Sequence, residues 1–427
     1  MITATLAEMS ECLTRRDFII GACAGASLRP SSALATSPPA SPSGLNVRQF
    51  GATADGLHND TAAISSALKV SRTLFFPAGI YLVDRLLLPA GTTFLTEGPR
   101  TVFQQSSKLA ATVRILTIVG SNVRIGDCTV RGNIATDTGE QHHGIFAAAT
   151  AETGNLWNIR IGNVSGANLR GDVVYLGTSD GNSLRDVQVG DVDGSNILRN
   201  VVSVVGGRNI RIGRISGTRI GYTHLDIEPD QYNGPVIGCS VAAVHGGFVQ
   251  VAGQTKDAYL DGISFGSLRL NYTRERSVPV YAPGLNRANA IELRNARSIK
   301  IRQLVVAGYA GAAIRQVWDP GELSDQYLNI TKAYISDCCK NGGRTYIQGD
   351  RRATRLTIDR LQIGLRMPGV DVVRDCKSAR VRVLVDKLGS RGRLVAQAAD
   401  VIEPLAYAAA AIGAAATIVP LARRMWR

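Results

Sequence analysis

The chain repeats a short phrase in which apolar and polar residues alternate and a Gly, Asn or Asp corner follows. The phrase is clearest in the segments 122–133, 158–177, 209–229, 261–272 and 298–308. Alternation with period two is typical of half-buried β-strands rather than helices. One such unit cannot bury an apolar face alone, so repeats at this spacing predict a solenoid of stacked coils. We therefore predict an all-β protein, a parallel β-helix, whose long groove suits an extended polymer.

Aligning the coils by their inward apolar pairs gives a register. The pairs are Ile145/Ala147, Val174/Leu176, Val202/Val204 and Leu225/Ile227, at steps of 29, 28 and 23 residues. Successive side chains of a strand point to opposite faces, so the residues between these pairs form outward ladders. One predicted ladder consists of Phe146, Tyr175, Ser203 and Asp226. A second ladder beside it consists of His143, Asp172, Asn200 and Thr223, and His224 lies on the row of Val173 and Val201.

Titratable residues are densest at 222–230. With Leu225 and Ile227 inward, alternation places His224, Asp226 and Glu228 on one outward face. Outward neighbours on a strand lie roughly 6.5 to 7 Å apart, close to the roughly 6.5–9.5 Å between the carboxyl groups of an inverting glycosidase.

Two coils before Asp226, Asp172 is expected roughly 10 Å away from it. Like charges this close should raise the pKa of one carboxyl group, as a general acid requires. Asp226, Glu228 and Asp172 are thus the predicted catalytic residues. The alternatives are a row of solvated acids and a bound cation.

Further residues are predicted to bind substrate. They are His224, Tyr175, Tyr222, Arg185, Arg208, His143 and Asp230. The tyrosines would stack on sugar rings or pack as a ladder. The arginines, with Arg211 and Arg219, would hold an acidic sugar bidentately or lie exposed on a strand. His143, after His142, would rim the groove or form a turn.

The N-terminal part of the repeat region resembles a known group of proteins. The resemblance rests on the runs 46–52, Asp55-Gly56, 60–64 and 74–81. They look like the opening of the pectate lyase superfamily group that includes rhamnogalacturonase and epimerase-like β-helix proteins and polygalacturonases. This resemblance implies a carbohydrate-active, right-handed β-helix. The residues themselves predict a helix at Thr61–Val70, N-capped by Asp60, that closes the end of the coil.

Composition favours an acidic partner and tight corners. The 427 residues carry a net charge of +14, and they include 45 Gly but only 9 Phe and 3 Trp. An acidic polysaccharide or a membrane surface fits this charge, although it could serve solubility alone. No basic run is interleaved with aromatic residues, so nucleic acid is not a predicted partner.

The cysteines do not predict a disulfide framework. Cys12 and Cys23 lie in the predicted signal peptide at 1–35, which is described below. The other five are scattered through the coils and are predicted to be small buried core side chains: Cys128, Cys239, Cys338, Cys339 and Cys376. We predict no cofactor, except calcium if the protein is a lyase.

The two termini predict export and a second hydrophobic element. Residues 14–20 resemble a twin-arginine export motif, and Ala33-Leu34-Ala35 reads as a cleavage site. The predicted organisation is a signal peptide at 1–35, a linker at 36–45, a β-helix domain at 46–404 and a hydrophobic helix at 405–427. That last helix would anchor the protein in the inner membrane or cap the solenoid, and the mature protein would be periplasmic or extracellular.

Three functions remain open from the sequence. The first is a glycoside hydrolase that cleaves an acidic extracellular polysaccharide with Asp226 and Glu228 as acid and base. The second is a lyase or uronate epimerase that removes the C5 proton of a uronic acid. The third is a polysaccharide-binding β-helix without catalysis. The triplet and pair motifs of polygalacturonases do not occur here in their order, so the resemblance does not select the reaction.

Overall fold

The computed structural model describes most of the repeat region. The described residues are 43–106, 114–135, 141–272, 288–339, 345–364 and 370–384. The predicted signal peptide, most of the linker and the predicted C-terminal helix lie outside them. Within the described ranges, no helix combines the length and the apolar character needed to cross a membrane.

Two parallel sheets wind around one apolar core. The first, which we call the small sheet, contains eleven strands. They are β5 (Leu86–Leu88), β8 (Leu116–Ile118), β11 (Ile145–Ala149), β14 (Val174–Thr178), β17 (Val202–Val205), β19 (Leu225–Ile227), β21 (Val249–Ala252), β24 (Ile291–Arg294), β26 (Ile314–Val317), β28 (Thr345–Gln348) and β30 (Asp371–Arg374).

The second, which we call the large sheet, contains twenty strands. They are β1 (Leu45–Asn46), β2 (Asp55–Asn59), β3 (Thr73–Phe76), β4 (Gly79–Val83), β6 (Thr93–Thr96), β7 (Thr101–Gln105), β9 (Arg124–Ile125), β10 (Cys128–Arg131), β12 (Leu156–Ile161), β13 (Val164–Ala167), β15 (Leu184–Val189), β16 (Val192–Ile197), β18 (Gly207–Ile220), β20 (Val236–Gly246), β22 (Leu260–Asp261), β23 (Ile263–Asn271), β25 (Ser298–Ala307), β27 (Gln326–Ser336), β29 (Thr354–Ile363) and β31 (Ser378–Leu384).

The strand order shows how the coils stack. Each coil adds one strand to the small sheet and returns through the large sheet, first as two short strands such as β15 and β16, and from β18 onward mostly as one long strand. Every pairing is between parallel strands of successive coils, for example β14 with β17 and β17 with β19. The prediction of a right-handed parallel β-helix is confirmed.

The core consists of the inward side chains of both sheets. In the small sheet Ile145 pairs with Val174, Val174 with Val202 and Val202 with Leu225, and all four are fully buried. The register predicted from the sequence is therefore correct. Stacked aliphatic side chains of neighbouring coils remove each other from water, which is the main favourable contribution to the fold.

The N-terminal helix α1 (Thr61–Val70) has the predicted bounds and Asp60 at its N-cap position, but the Asp60 side chain does not cap the helix. The carboxylate of Asp60 accepts hydrogen bonds from the backbone N–H groups of Thr53 (2.7 Å) and Ala54 (3.1 Å) instead of the helix. The Thr61 N–H donates to the Asn59 side chain at 3.0 Å. Asp60 thus fixes the turn that precedes the helix.

Corner residues of the large sheet form a polar ladder on the surface. Asp127 accepts the backbone N–H of Asn163 (2.7 Å), Asn163 accepts that of Asp191 (2.8 Å), and Asp191 accepts that of Arg214 (2.8 Å). Each side chain satisfies a backbone donor that the corner leaves outside the sheet. The Asn and Asp residues of the repeated phrase are therefore structural at this corner.

Cys128 and Cys239 are buried free thiols, as predicted, and Cys338 and Cys339 are buried as well. Burial raises the pKa of Cys128 and of Cys239 to about 12. These thiols are filler side chains of the coils.

Candidate active site

The outward row of the small sheet brings the predicted carboxyl groups together. Phe146 pairs with Tyr175, Tyr175 with Ser203, Ser203 with Asp226 and Asp226 with Gln250. This row has the predicted members in the predicted order. Its centre is more buried than an outward face implies, since Ser203 is fully buried and Asp226 is only 6% exposed.

A second polar ladder, buried this time, runs along the corner before these strands. The Nδ1 atom of His143 accepts the backbone N–H of Asp172 (3.0 Å), and Asp172 Oδ1 accepts that of Asn200 (3.0 Å). Asn200 Oδ1 then accepts both the N–H (3.0 Å) and the hydroxyl (2.9 Å) of Thr223. The sequence predicted these four residues as an outward ladder with His143 at the rim of the groove, but all four are buried. The first three have a structural role instead, because each accepts a backbone N–H of the next coil.

Asp172 is fully buried and therefore not a solvated acid. Burial raises the pKa of its carboxyl group, against the opposing effect of Arg199, whose Nε lies 3.7 Å from Oδ1. Its Oδ2 atom lies 3.4 Å from His143 Nδ1. This contact is not an ion pair, because burial lowers the pKa of His143 well below its usual value and so favours the neutral imidazole.

Asp226 is the most perturbed group of the site. Its Oδ2 atom lies 3.3 Å from the Asn200 amide, and its buried Oδ1 atom has no hydrogen-bond partner among the described residues. Burial raises the pKa of Asp226 well above its usual value, and the charges of Glu228 and Asp172 raise it further. Burial thus favours the protonated form of this carboxyl group, and its buried Oδ1 atom is left without a hydrogen-bond partner among the described residues.

Glu228 follows on the same strand end and is partly exposed. Its Oε1 atom accepts a hydrogen bond from Gln254 Nε2 at 3.0 Å. Burial raises its pKa, while bonds from Gln254 and Gln250 and the charge of Arg199 lower it. Asp230 lies in the next turn and accepts the backbone N–H of Tyr232 (2.8 Å), and its charge raises the pKa of Glu228. Asp226 and Glu228 therefore have different environments.

The cation that acts on these carboxyl groups is Arg199, which the sequence analysis did not select. Its charge lowers the pKa values of Asp172, Asp226 and Glu228, and its side chain is 19% exposed. Arg199 directly precedes Asn200 of the buried ladder, and this adjacency was the available signal.

The arginines that the sequence selected lie elsewhere. Arg185 and Arg208 pair with each other on β15 and β18 of the large sheet and are exposed, and Arg211 follows on β18. Arg185 makes an ion pair with Asp186 at 3.1 Å. Proximity in sequence was misleading, because the residues of one coil lie on different faces of the solenoid.

Aromatic side chains line the start of the outward row. The rings of Phe146 and Tyr175 stack with centroids 5.0 Å apart, and His143 lies 4.7 Å from Tyr175. The guanidinium of Arg114 lies 3.5 Å above the Phe146 ring. Tyr175 is thus packed as a ladder, which was the alternative reading, and burial raises its pKa to about 12.

Tyr222 lies at the next corner, where its N–H donates to the Arg199 carbonyl oxygen at 3.0 Å. It is partly exposed at this corner.

The prediction that His224 shares a face with Asp226 and Glu228 is wrong. Its ring lies in the coil interior, where Nε2 is 3.3 Å from the Gly217 oxygen and Nδ1 accepts the Gly247 N–H at 3.2 Å. Strand β19 begins only at Leu225, and the period of two does not extend through a corner.

Taken together, the site can donate a proton from a buried carboxyl group and accept one at a second carboxylate, beside a cation that suits an anionic ligand. Among the described residues, no group of three or more His, Cys, Asp and Glu is arranged to hold a metal ion. Calcium binding by a lyase therefore stays a prediction.

The sequence profile of one protein family matches residues 44–203. That family is described as rhamnogalacturonase A/epimerase, pectate lyase-like. Residues 44–203 of this parallel β-helix are thus similar to the pectate-lyase-like family. The matched part of this β-helix includes Asp172, Arg199 and Asn200, whereas Asp226 and Glu228 follow it.

Two solved structures have the same fold, with TM-scores of 0.51 and 0.50. Gene product 12 of bacteriophage phi29, in its pre-mature form, is similar with a TM-score of 0.51 and 13% identity over 80% of this chain, which spans 56% of the phage protein. The Agl-KA catalytic domain has a TM-score of 0.50 and 13% identity, with 82% of this chain and 69% of that domain covered. The A-module of the mannuronan C-5 epimerase AlgE6 from Azotobacter vinelandii has a TM-score of 0.45 and 15% identity, with 81% and 100% covered. A search of curated protein sequences gives no match.

Proposed function

We propose that the protein is an exported carbohydrate-active enzyme, a glycoside hydrolase that cleaves an acidic extracellular polysaccharide. The observation that carries this proposal is the pair of unlike carboxyl groups on the small sheet. Asp226 is buried with a strongly raised pKa and an unpartnered oxygen, and Glu228 is partly exposed and hydrogen-bonded. Paired carboxyl groups of unlike pKa are what glycoside hydrolysis needs.

In this mechanism Asp226 is the general acid. Its protonated carboxyl group gives the proton to the glycosidic oxygen as the bond to the sugar carbon breaks. Glu228, as the carboxylate, takes a proton from the water that attacks that carbon. Arg199 would bind the carboxylate of an acidic sugar, and Tyr222 would contact the sugar ring. Asp172 assists by raising the pKa of Asp226 through its charge.

Export and acidic substrate rest on other features. The twin-arginine-like residues 14–20 support export, and the net charge of +14 supports an acidic polymer. Periplasmic or extracellular location, and anchoring of the C-terminal segment in the inner membrane, stay predictions.

Product analysis tests the reaction. The protein is incubated with a panel of acidic bacterial and plant polysaccharides while reducing ends and ultraviolet absorbance are followed. We expect new reducing ends without absorbance from an unsaturated sugar. Absorbance that rises together with the reducing ends would contradict hydrolysis and indicate β-elimination.

A lyase or epimerase is the second candidate, because Tyr175 lies against His143 and its pKa responds to the charge of Arg199. In that reaction a Tyr or His removes the C5 proton while an arginine neutralises the uronate. Against it, burial raises the pKa of Tyr175 to about 12, so its phenol is not a ready base at neutral pH. His143 is fully buried, and both of its ring nitrogens are engaged, Nδ1 by the Asp172 N–H and Nε2 by the Gln141 side chain.

Substitution of Arg199 tests whether this residue, rather than Arg185 as predicted from the sequence, binds the substrate. We expect Arg199→Ala to raise KM for an acidic polymer roughly tenfold, because a charge-assisted hydrogen bond to the substrate is lost. Arg185→Ala, a matched change on the large sheet, should leave KM unchanged. Steady-state kinetics of both variants check this, and an equal rise in KM for both would show that general charge, not Arg199, binds the substrate.

A further inference from the structure

An outward row of unpaired polar side chains also crosses the large sheet. Arg211 pairs with Ser240, Ser240 with Ser264, Ser264 with Lys300 and Lys300 with Asn329. Parallel strands lie roughly 4.8 Å apart, so this row is a line along the solenoid axis with roughly 14 Å between the Arg211 and Lys300 positions. The row contains no acidic residue.

The two cations of this row are available to a ligand. Arg211 and Lys300 are exposed, and neither has a hydrogen-bond or ion-pair partner among the residues that the structure describes. On the same sheet, Arg214 is bound to Asp191 (2.9 Å) and Arg185 to Asp186 (3.1 Å). The row thus differs from the ordinary basic residues of this surface.

A hollow of about 590 Å³ lies in the middle of the row. Small residues of β20 and β23, such as Ser240, Ser264 and Gly266, form its floor, and Lys300 and Arg302 of β25 stand at its rim. Arg302 Nε donates to the Gly266 carbonyl oxygen at 3.4 Å, which places its guanidinium at the hollow. The change from small to long cationic side chains between successive coils creates the depression.

We propose that this hollow and its row bind a chain of an anionic, uronate-bearing polysaccharide along the solenoid axis, at a site separate from Asp226. Hydroxyl and amide side chains alternate with widely spaced cations here, which suits a polymer rich in hydroxyl groups and sparse in charge. A nucleic-acid strand carries a negative charge about every 3.4 Å and would call for a denser row of cations. Binding at this site does not depend on the hydrolase activity proposed above.

The test is a binding measurement on the full chain carrying Asp226→Asn, which is designed to stop cleavage and lies outside the row. Calorimetry with hyaluronate, in which only every second sugar carries a carboxylate, compares this protein with a form that also carries Arg211→Glu and Lys300→Glu. We expect the two charge reversals to raise Kd about tenfold or more, since two attractive contacts become repulsive. The matched control carries Lys69→Glu and Arg100→Glu. Both positions are exposed and precede the row by more than 100 residues, and the change in net charge is the same. It should stay within about twofold of the parent.

Two results would overturn the proposal. Equal weakening in the test and control variants would show that net charge alone attracts the polymer. Tighter binding of single-stranded DNA or of phosphatidylglycerol vesicles than of hyaluronate, with loss of that binding in the test variant, would assign the row to another partner. Because binding is measured without turnover, failure here is distinguishable from failure of the hydrolase proposal, which product analysis of the unmodified chain decides.

Discussion

Replacement of Asp226 by Asn is expected to lower kcat about 10²–10⁴-fold, the contribution of one general acid. The substitution removes the transferable proton and keeps the shape of the side chain. Because burial favours the neutral form of this carboxyl group, the neutral amide should not disturb the fold. Kinetics on the polymer identified by product analysis, with circular dichroism and thermal unfolding of the same variant, measure both effects.

The matched control is Asp193→Asn on the large sheet. Asp193 is exposed and accepts a hydrogen bond from the Ser216 hydroxyl at 2.6 Å, so its loss should leave kcat within about twofold. A folded Asp226→Asn variant that keeps full activity would exclude Asp226 as the acid and would move the catalytic site to another face of the solenoid.

The same variant has a signature in stability that needs no substrate. In the unfolded chain Asp has its usual pKa of about 4. Because the pKa of Asp226 is raised in the folded state, the folded protein binds more protons than the unfolded chain above that pH. The contribution of this group is therefore fully present below the unfolded pKa and is lost as pH rises through the folded pKa. Urea unfolding between pH 5 and pH 8 should show a decline in unfolding free energy that is smaller in Asp226→Asn than in the parent.

The fold and the register of the small sheet followed from the sequence. Ile145, Val174, Val202 and Leu225 are inward apolar residues at coil-length spacing, and an error of one residue would have placed polar side chains in the core. That penalty is large in every coil, so the correct alignment is strongly preferred. The positions of Tyr175 and Asp226 on one row followed from it.

Features of the site that depend on corners and on side-chain reach did not follow. His224 lies inside the coil because β19 begins at Leu225, so the alternation of the strand does not include His224. Asp172 is buried in a hydrogen-bonded ladder that only the three-dimensional turn creates. The long side chain of Arg199 extends to carboxyl groups on other coils, and sequence distance does not show this reach. A strand pattern reports which face a residue lies on, but not what lies next to it.

The corner ladder is also the basis for the second large effect, that of Asn200→Ala. Asn200 Oδ1 accepts both the N–H and the hydroxyl of Thr223, and its amide donates to Ser203 and to Asp226. All these groups are buried. Removal of the side chain leaves the two Thr223 donors without an acceptor, at about 1–3 kcal/mol each. We expect the free energy of unfolding to fall by about 2–6 kcal/mol.

The exposed ladder of the large sheet supplies the comparison. Asn163 accepts the Asp191 N–H at 2.8 Å in the same coil-to-coil arrangement, but it is exposed. Water can replace its side chain, so Asn163→Ala should cost about 1 kcal/mol or less. Urea unfolding of both variants measures the difference. Equal losses would mean that the bonds themselves, and not the burial of unsatisfied donors, determine the cost.

If Asn200→Ala does not fold well enough to be measured, Asn200→Asp keeps the question open to experiment. Aspartate retains the oxygen that accepts from Thr223 but loses the amide that faces Asp226. Its loss of stability should be smaller than that of the alanine variant at low pH. It should grow as pH rises, because the introduced carboxyl group then becomes charged in a buried site beside Asp226. A loss that does not change with pH would show that Asn200 and Asp226 are not coupled, and the buried ladder would then stabilise the coils without tuning the proposed general acid.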